Sequence, residues 1–184
     1  MNGWRRTGRG AKLRLVGVLD QPEAALLRGL VGQIQVMLAE RTDSAPEDEL
    51  AELTGIQAGH TRPPEDSVLA RLLPDFHRED AELASMLRAA REPELIAAKT
   101  EAADVVLATC PPDGGRAELT VDQADAWLAA LNDLRLALGT TLGVSEDMPE
   151  DLTDSDETLA AHMTVYHWLT FVQDALVQTR ATAL

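Results

Sequence analysis

Cysteine is almost missing from this sequence, since Cys110 is the only one in 184 residues. A single thiol excludes a disulfide within the chain and any metal site built from several cysteines, and it is typical of proteins in a reducing compartment. Long apolar runs are missing too: no segment approaches the roughly 18 residues of a membrane span, and residues 1–19 lack the apolar core and cleavage site of a signal peptide. We therefore expect a cytoplasmic protein.

The common catalytic motifs are absent as well. The chain has no Gly-rich phosphate loop, no His-Glu-x-x-His zinc helix, no Gly-x-Ser-x-Gly nucleophile elbow and no Cys-x-x-Cys pair. His162 and His167 are five residues apart, whereas two metal ligands on one helix face need a spacing of three or four. The sequence therefore predicts no catalytic residue, no metal site and no cofactor, and it argues against an enzyme.

Positive charge is scarce, and most of it is carried by arginine. Lysine and arginine together number 16 against 31 acidic residues, which gives a formal net charge of -15. An acidic surface of this kind repels phosphate backbones and anionic lipids. Neither nucleic acid nor a membrane surface is therefore an expected partner, and proteins remain the expected partner class.

Length and apolar content predict one folded unit. A chain of 184 residues that is 45% hydrophobic can bury one substantial core but hardly two. In residues 1–19, glycine turns at Gly8 and Gly10 are followed by alternating polar and apolar side chains, the pattern of a β-hairpin. We expect a mainly α single domain over residues 1–184, a helical bundle preceded by this short hairpin.

The rest of the chain, residues 20–184, reads as helices joined by loops. Helix-capping residues stand before three apolar-periodic segments, at Asp20, Asp80 and Thr120. Pro93 predicts the start of a further helix, with Glu92 beside it. A short helix is predicted within residues 42–55, and the last helix is predicted to be deeply packed. Loops are expected near residues 42–48, 57–66, 110–119 and 144–155.

The stretch "RLLPDFHRED", residues 71–80, admits two interpretations. Pro74 ends one helix and Asp80 starts the next, so most of the stretch predicts a corner between helices. Asp75 and His77 are left over, and a carboxylate near an imidazole can act as a base and the group that orients it. No nucleophile stands nearby in the sequence, which favours the corner. His162 on the apolar arc of the last helix, and His167 on its polar side, are weaker polar candidates.

Two cations fall on faces that helical spacing predicts to be inward. Lys99 lies among Leu95, Ala102 and Val106, and Arg135 lies near Leu131 and Leu142. A buried cation needs a counter-charge, and Asp75 and Asp133 are the candidate carboxylates, with Asn132 beside Asp133 as a further polar member of the site. One hypothesis is a structural ion-pair network, and the other is a pocket for a small carboxylate or phosphate.

Four segments carry a resemblance to a known family. "RLLPDFHRED", "LRAAREPELIAAK", "WLAALNDLRLALGTTLGV" and "YHWLTFVQDALV" resemble an actinobacterial family of unknown function, whose genes commonly lie beside the gene for the ClpS adaptor of the Clp protease. The resemblance implies a fold and a cytoplasmic location, and it loosely links the chain to regulated proteolysis. It supplies no catalytic residue. Arg91 stands where the family pattern has threonine, which affects the capping predicted before Pro93.

The sequence thus favours a non-enzymatic interaction or regulatory protein with protein partners. A small-anion or metabolite-binding module around Lys99 and Arg135 is the alternative. Whether the chain forms a homo-oligomer stays open.

Overall fold

The computed structural model describes residues 3–46, 59–144 and 157–182. Residues 47–58 and 145–156 lie outside these ranges. They include most of the short helix predicted within 42–55, almost all of the loop predicted near 144–155, and parts of the loops predicted near 42–48 and 57–66. No helix in the described ranges has the length and apolar content that crossing a membrane requires.

A small antiparallel sheet is built around the predicted hairpin. Strand β1 (Trp4–Thr7) pairs with β2 (Arg14–Leu19), and a short 3-10 turn at Gly10–Lys12 joins them. Gly8 has a positive φ of 74°, and a Cβ atom there would collide with the Lys12 carbonyl oxygen, so the turn requires glycine. The hairpin and its glycine turn are confirmed.

A third strand was not predicted. Strand β3 (Gly115–Leu119) pairs antiparallel with β2, so that Leu15 stands opposite Leu119. The prediction of a loop over 110–119 is therefore wrong for its second half. Ala117 and Leu119 are fully buried, and a strand this short with two charged residues carries little sequence signal until its partner strand is known.

Five helices account for most of the described residues: α1 (Gln21–Asp43), α2 (Ser67–Leu72), α3 (Ala81–Thr109), α4 (Val121–Leu142) and α5 (Glu157–Ala181). The mainly α fold class is confirmed. Asp20 and Thr120 each form a capping box, and Asp80 accepts hydrogen bonds from two backbone N–H groups of α3. These caps stabilise the helix starts because they satisfy N–H groups that lack a partner within the helix.

Helix α4 is the central element, and it packs against α2, α3 and α5. Trp127, on α4, is fully buried and meets the ring of Trp4 edge-on, with 5.3 Å between centroids. Helix α5 is less deeply packed than predicted, because only Leu169, Val172 and Leu176 of its described side chains are buried. Its C-terminal half touches the sheet, where Thr179 donates a hydrogen bond to the Trp4 carbonyl.

The prediction that Pro93 starts a helix is wrong, because α3 runs through it without a break. Proline has no N–H to donate to the carbonyl of the residue four positions earlier, here Ala89. The backbone N–H of Gly59 donates to that carbonyl instead, at 2.8 Å. The Arg91 position is therefore inside a helix and is not a cap.

Candidate functional site

A buried cluster of charges lies where α1, α3 and the corner before α3 meet. Arg88 and Glu92 are one helical turn apart on α3, and each side chain is only 1% exposed. They form an ion pair, and Glu92 also accepts from Arg41 Nε of α1 at 2.8 Å. Arg88 further donates to Asp75 at 2.7 Å and to the Leu73 carbonyl at 3.1 Å.

The loop before α2 is attached to the same cluster. Arg41 donates to the Arg62 carbonyl at 2.7 Å, and His60 Nε2 lies 2.8 Å from the Arg41 carbonyl oxygen. Gly59 binds the Ala89 carbonyl one turn before Pro93. The cluster thus joins α1, α3, this loop and the 71–80 corner, which is what a structural clamp does.

The charged groups of this clamp are already hydrogen-bonded to one another and to the backbone. Both carboxylate oxygens of Glu92 accept from an arginine, and Arg88 has one acceptor from α3 and two from the corner. Sequence reasoning missed Arg88 and Glu92. Their only signal was the four-residue spacing of opposite charges, which on most helices marks an exposed pair.

Lys99 and Asp133 form a second inward pair, between α3 and α4. The Lys99 Nζ lies 2.6 Å from Asp133 Oδ1, and the two side chains are 15% and 9% exposed. Burial raises the pKa of the Asp133 carboxyl above its usual range, although the hydrogen bond and charge of Lys99 act in the opposite direction. The adjoining cavity has about 10 Å³, which holds roughly one water molecule. A metabolite does not fit beside Lys99.

Arg135 does not join that pair. Its guanidinium donates to the amide oxygen of Gln173 on α5 at 2.6 Å, and it lies over the Tyr166 ring, 5.7 Å from the centroid. Asp75 is bound to Arg88 instead, so the prediction that Asp75 neutralises Lys99 or Arg135 is wrong. Asn132 is exposed on α4. Lys99 and Arg135 therefore belong to separate surroundings.

The three candidate histidines lie in the 71–80 corner and on α5. His77 Nδ1 accepts from the backbone N–H groups of Glu79 and Asp80, at 3.3 and 3.1 Å. That nitrogen thus braces the turn before α3, and Asp75 faces Arg88, which supports the corner interpretation. His162 and His167 are both exposed on α5, so the prediction that His162 lies on the packed, apolar arc of this helix is wrong.

Cys110 follows the last turn of α3 and is 2% exposed. Burial raises the pKa of its thiol, although the nearby Arg28 acts in the opposite direction. A protonated, enclosed thiol is a poor nucleophile and a poor target for oxidants. Within the described ranges, no three histidine, cysteine or acidic side chains are arranged to hold a metal ion.

Comparison with known proteins identifies relatives of similar length. Proteins of Mycobacterium bovis and Mycobacterium tuberculosis, both named "Oxidative stress regulator AosR", are 44% identical to this chain over 187 aligned positions, which cover 95% of this chain and 85% of theirs. A Mycobacterium leprae protein is 42% identical, with 95% and 86% covered.

No solved structure matches this chain. A family profile described as "Domain of unknown function (DUF2017)" matches residues 1–180. The match covers all the elements described above except the last residue of α5, and the relatives come from mycobacteria, as the resemblance to an actinobacterial family implied. The chain therefore belongs to the DUF2017 family.

Proposed function

We propose that this protein is a non-enzymatic regulator that acts in an oxidative stress response by binding other proteins. The observation that carries the proposal is the identity of 44%, over 95% of the chain, to proteins named as oxidative stress regulators. An identity of this size over nearly the whole chain supports a shared role as well as a shared fold.

The net charge of -15 favours protein partners over DNA. A regulator that reads DNA directly needs a basic surface to neutralise phosphates, and this chain has about twice as many acidic as basic residues. A basic surface on another regulatory protein is the complementary partner.

The oxidative signal reaches this chain through a partner rather than through its own thiol. One cysteine in these 184 residues cannot form a disulfide within the chain. Cys110 is also enclosed, with a raised thiol pKa, which lowers the thiolate fraction that reacts with peroxide.

The link to Clp-dependent proteolysis is a finer hypothesis about the partner. It rests on the gene neighbourhood that the family resemblance implies. Affinity purification at low ionic strength, with identification of the recovered proteins, separates the alternatives. Recovery of a Clp component supports the link, whereas recovery of other stress-response proteins without any Clp component contradicts it.

The regulatory proposal is tested by complementation. A mycobacterial strain whose own relative has been deleted is made to express this chain, and its survival after peroxide treatment is compared with that of the parent strain. We expect survival to return toward the parental level. Failure to rescue, with the folded protein present in the cells, contradicts the proposal.

Two variants sharpen this experiment. Cys110→Ala removes the thiol and is expected to rescue as well as the wild type, because Cys110 does not sense the oxidant. Leu131→Asp places a charge in the core and should abolish rescue, which shows that the assay requires folded protein. Loss of rescue in a folded Cys110→Ala protein would assign the sensing to this residue after all.

A further inference from the structure

A cavity of about 390 Å³ opens between α2, α4 and α5, at the end of α4. Arg71 of α2, Arg135, Gly139 and Thr140 of α4, and Tyr166 of α5 line it. Its size falls in the range of small-ligand pockets, which begins at about 300 Å³. The cavity is distinct from the Arg88–Glu92 cluster and from the Lys99–Asp133 pair.

Arg135 enters this cavity with unused hydrogen-bonding capacity. One terminal nitrogen is held by Gln173, and Tyr166 packs against the guanidinium. The Nε–H is buried and has no acceptor within the described residues. A buried donor without a partner costs free energy, most of all on a charged group, so this cation is oriented but not satisfied.

Arg71 brings a second guanidinium to the same cavity. It lies in the last turn of α2, which packs against α4. Arg71 is exposed, and it forms no ion pair or hydrogen bond within the part of the chain that the structure describes. An exposed cation on one side of the cavity and an oriented cation on the other are a suitable pair for binding an anion.

Among the described residues, the charge that lines this cavity is opposite in sign to the net charge of the molecule. In a chain with 31 acidic residues, no described carboxylate lines the wall that these two arginines share. At physiological ionic strength charges are screened over about 8 Å, so a ligand in the cavity responds mainly to Arg71 and Arg135. Guanidinium groups bind carboxylates and phosphates through paired N–H donors.

We propose that this cavity binds a small free anion, a carboxylate or a phosphate, between Arg71 and Arg135. The anion accepts from the guanidinium groups of Arg135 and Arg71, both of which line the cavity. Gly139 keeps the cavity open, because a Cβ atom at this position would already lie 3.4 Å from the Tyr166 ring and a longer side chain would fill the space.

The proposal is tested by thermal denaturation of the full chain with inorganic phosphate or citrate, against sodium chloride at equal ionic strength. A rise in melting temperature of about 5–10 °C is expected at a ligand concentration of about 100 times its Kd. Phosphate and citrate also stabilise proteins by exclusion from their surface, so the result is decided by variants.

Arg71→Gln is the deciding variant, because its side chain is exposed and its loss leaves the fold intact. It should lose most of the rise, as should Arg135→Gln and the charge-preserving Gly139→Leu. Arg78→Gln removes an exposed arginine from the 71–80 corner, outside the cavity lining, and should keep the full rise. An equal rise in wild type and Arg71→Gln, or no rise in the wild type, overturns the proposal.

The chain itself offers a competing source of carboxylates. Val144 borders the cavity, and six of the next twelve residues in the sequence are acidic. A variant in which Glu146, Asp147, Glu150 and Asp151 are changed to their amides distinguishes the two sources. A rise seen only in that variant overturns the proposal, because the chain's own carboxylates would then be the ligand.

Discussion

Arg88 and Glu92 are charged groups almost entirely removed from water, each 1% exposed. We expect Arg88→Met to lower the free energy of unfolding by about 3–5 kcal/mol, because Glu92 would keep Arg41 but lose its second partner in a buried place. Urea denaturation of the variant and the wild type measures this loss.

Arg91 provides the matched control, three residues further along the same helix. It pairs with Glu94, but the two side chains are 61% and 70% exposed, and exposed pairs contribute little. Arg91→Met should change the free energy of unfolding by no more than about 0.5 kcal/mol. Equal losses for Arg88→Met and Arg91→Met would contradict a stabilising role of the buried cluster.

The Lys99–Asp133 pair supports a double-mutant experiment. Lys99→Met should lower the free energy of unfolding by about 1–4 kcal/mol, because it leaves Asp133 unpaired between two helices. Changing both residues to apolar ones should cost less than the two single changes added together. Strict additivity, measured by urea denaturation, would show that the two groups do not interact.

The raised pKa of Asp133 predicts how stability depends on pH. Folded protein holds this proton more tightly than the unfolded chain, so the stabilisation is fully present below the unfolded value, about 3.9, and is lost as pH rises through the folded value. The free energy of unfolding of the wild type minus that of Asp133→Asn should therefore fall as the pH rises above about 4.

Urea denaturation measures this difference. The protein concentration must be low, because the isoelectric point is about 4.5 and a protein is least soluble near that pH. A difference that rises with pH would mean that Lys99 outweighs burial at this carboxyl.

Side-chain positions were predictable where helical spacing alone decides them, and partners were not. Spacing placed Lys99 on an inward face, and Asp133 was named as an acidic neighbour. Arg135 meets Gln173, which is 38 residues away, and no local pattern specifies such a contact. Arg88 was overlooked because its spacing from Glu92 looks the same on a buried helix face as on an exposed one.

At the scale of elements, the loop before α2 packs closely against α3, where Gly59 lies against the ring of Pro93. A Cβ atom on Gly59 would lie 2.8 Å from Pro93 Cδ and 3.1 Å from the Ala89 carbonyl oxygen. We expect Gly59→Ala to lower the free energy of unfolding by about 1–3 kcal/mol, because the loop must move away from the helix. Urea denaturation measures the loss.

Pro93→Ala supplies the test of this mechanism. It removes the ring atoms that the new methyl group would strike, so Gly59→Ala should cost less in the Pro93→Ala background than in the wild type. The same cost in both backgrounds would place the defect elsewhere in the loop.

Helix starts could be predicted because a cap is a local event. Asp20, Asp80 and Thr120 bind N–H groups two or three residues ahead, so the sequence signal and the contact coincide. Strand β3 and the unbroken α3 depend on distant segments. The former needs β2 for pairing, and the latter needs Gly59 to satisfy the Ala89 carbonyl, so neither follows from a local pattern.

At the scale of the whole molecule, the net charge of -15 determines how partner binding responds to salt. A protein recovered by affinity purification should bind at least about tenfold more weakly in 0.5 M than in 0.05 M sodium chloride, because screening removes the attraction to its basic surface. Titration at both salt concentrations measures the two Kd values. An unchanged Kd would mean that the interface is apolar rather than electrostatic.

The contact between the two ends of the fold has a consequence for how the protein is made. The Trp4 carbonyl accepts a hydrogen bond from Thr179, which lies 175 residues later in the sequence. The middle strand, β2, pairs with β3, which lies about a hundred residues later. On the ribosome, the first strands emerge long before either partner exists. The sheet therefore gains its last contacts only after β3 and Thr179 have been synthesised, and until then the nascent hairpin needs protection from aggregation and proteases.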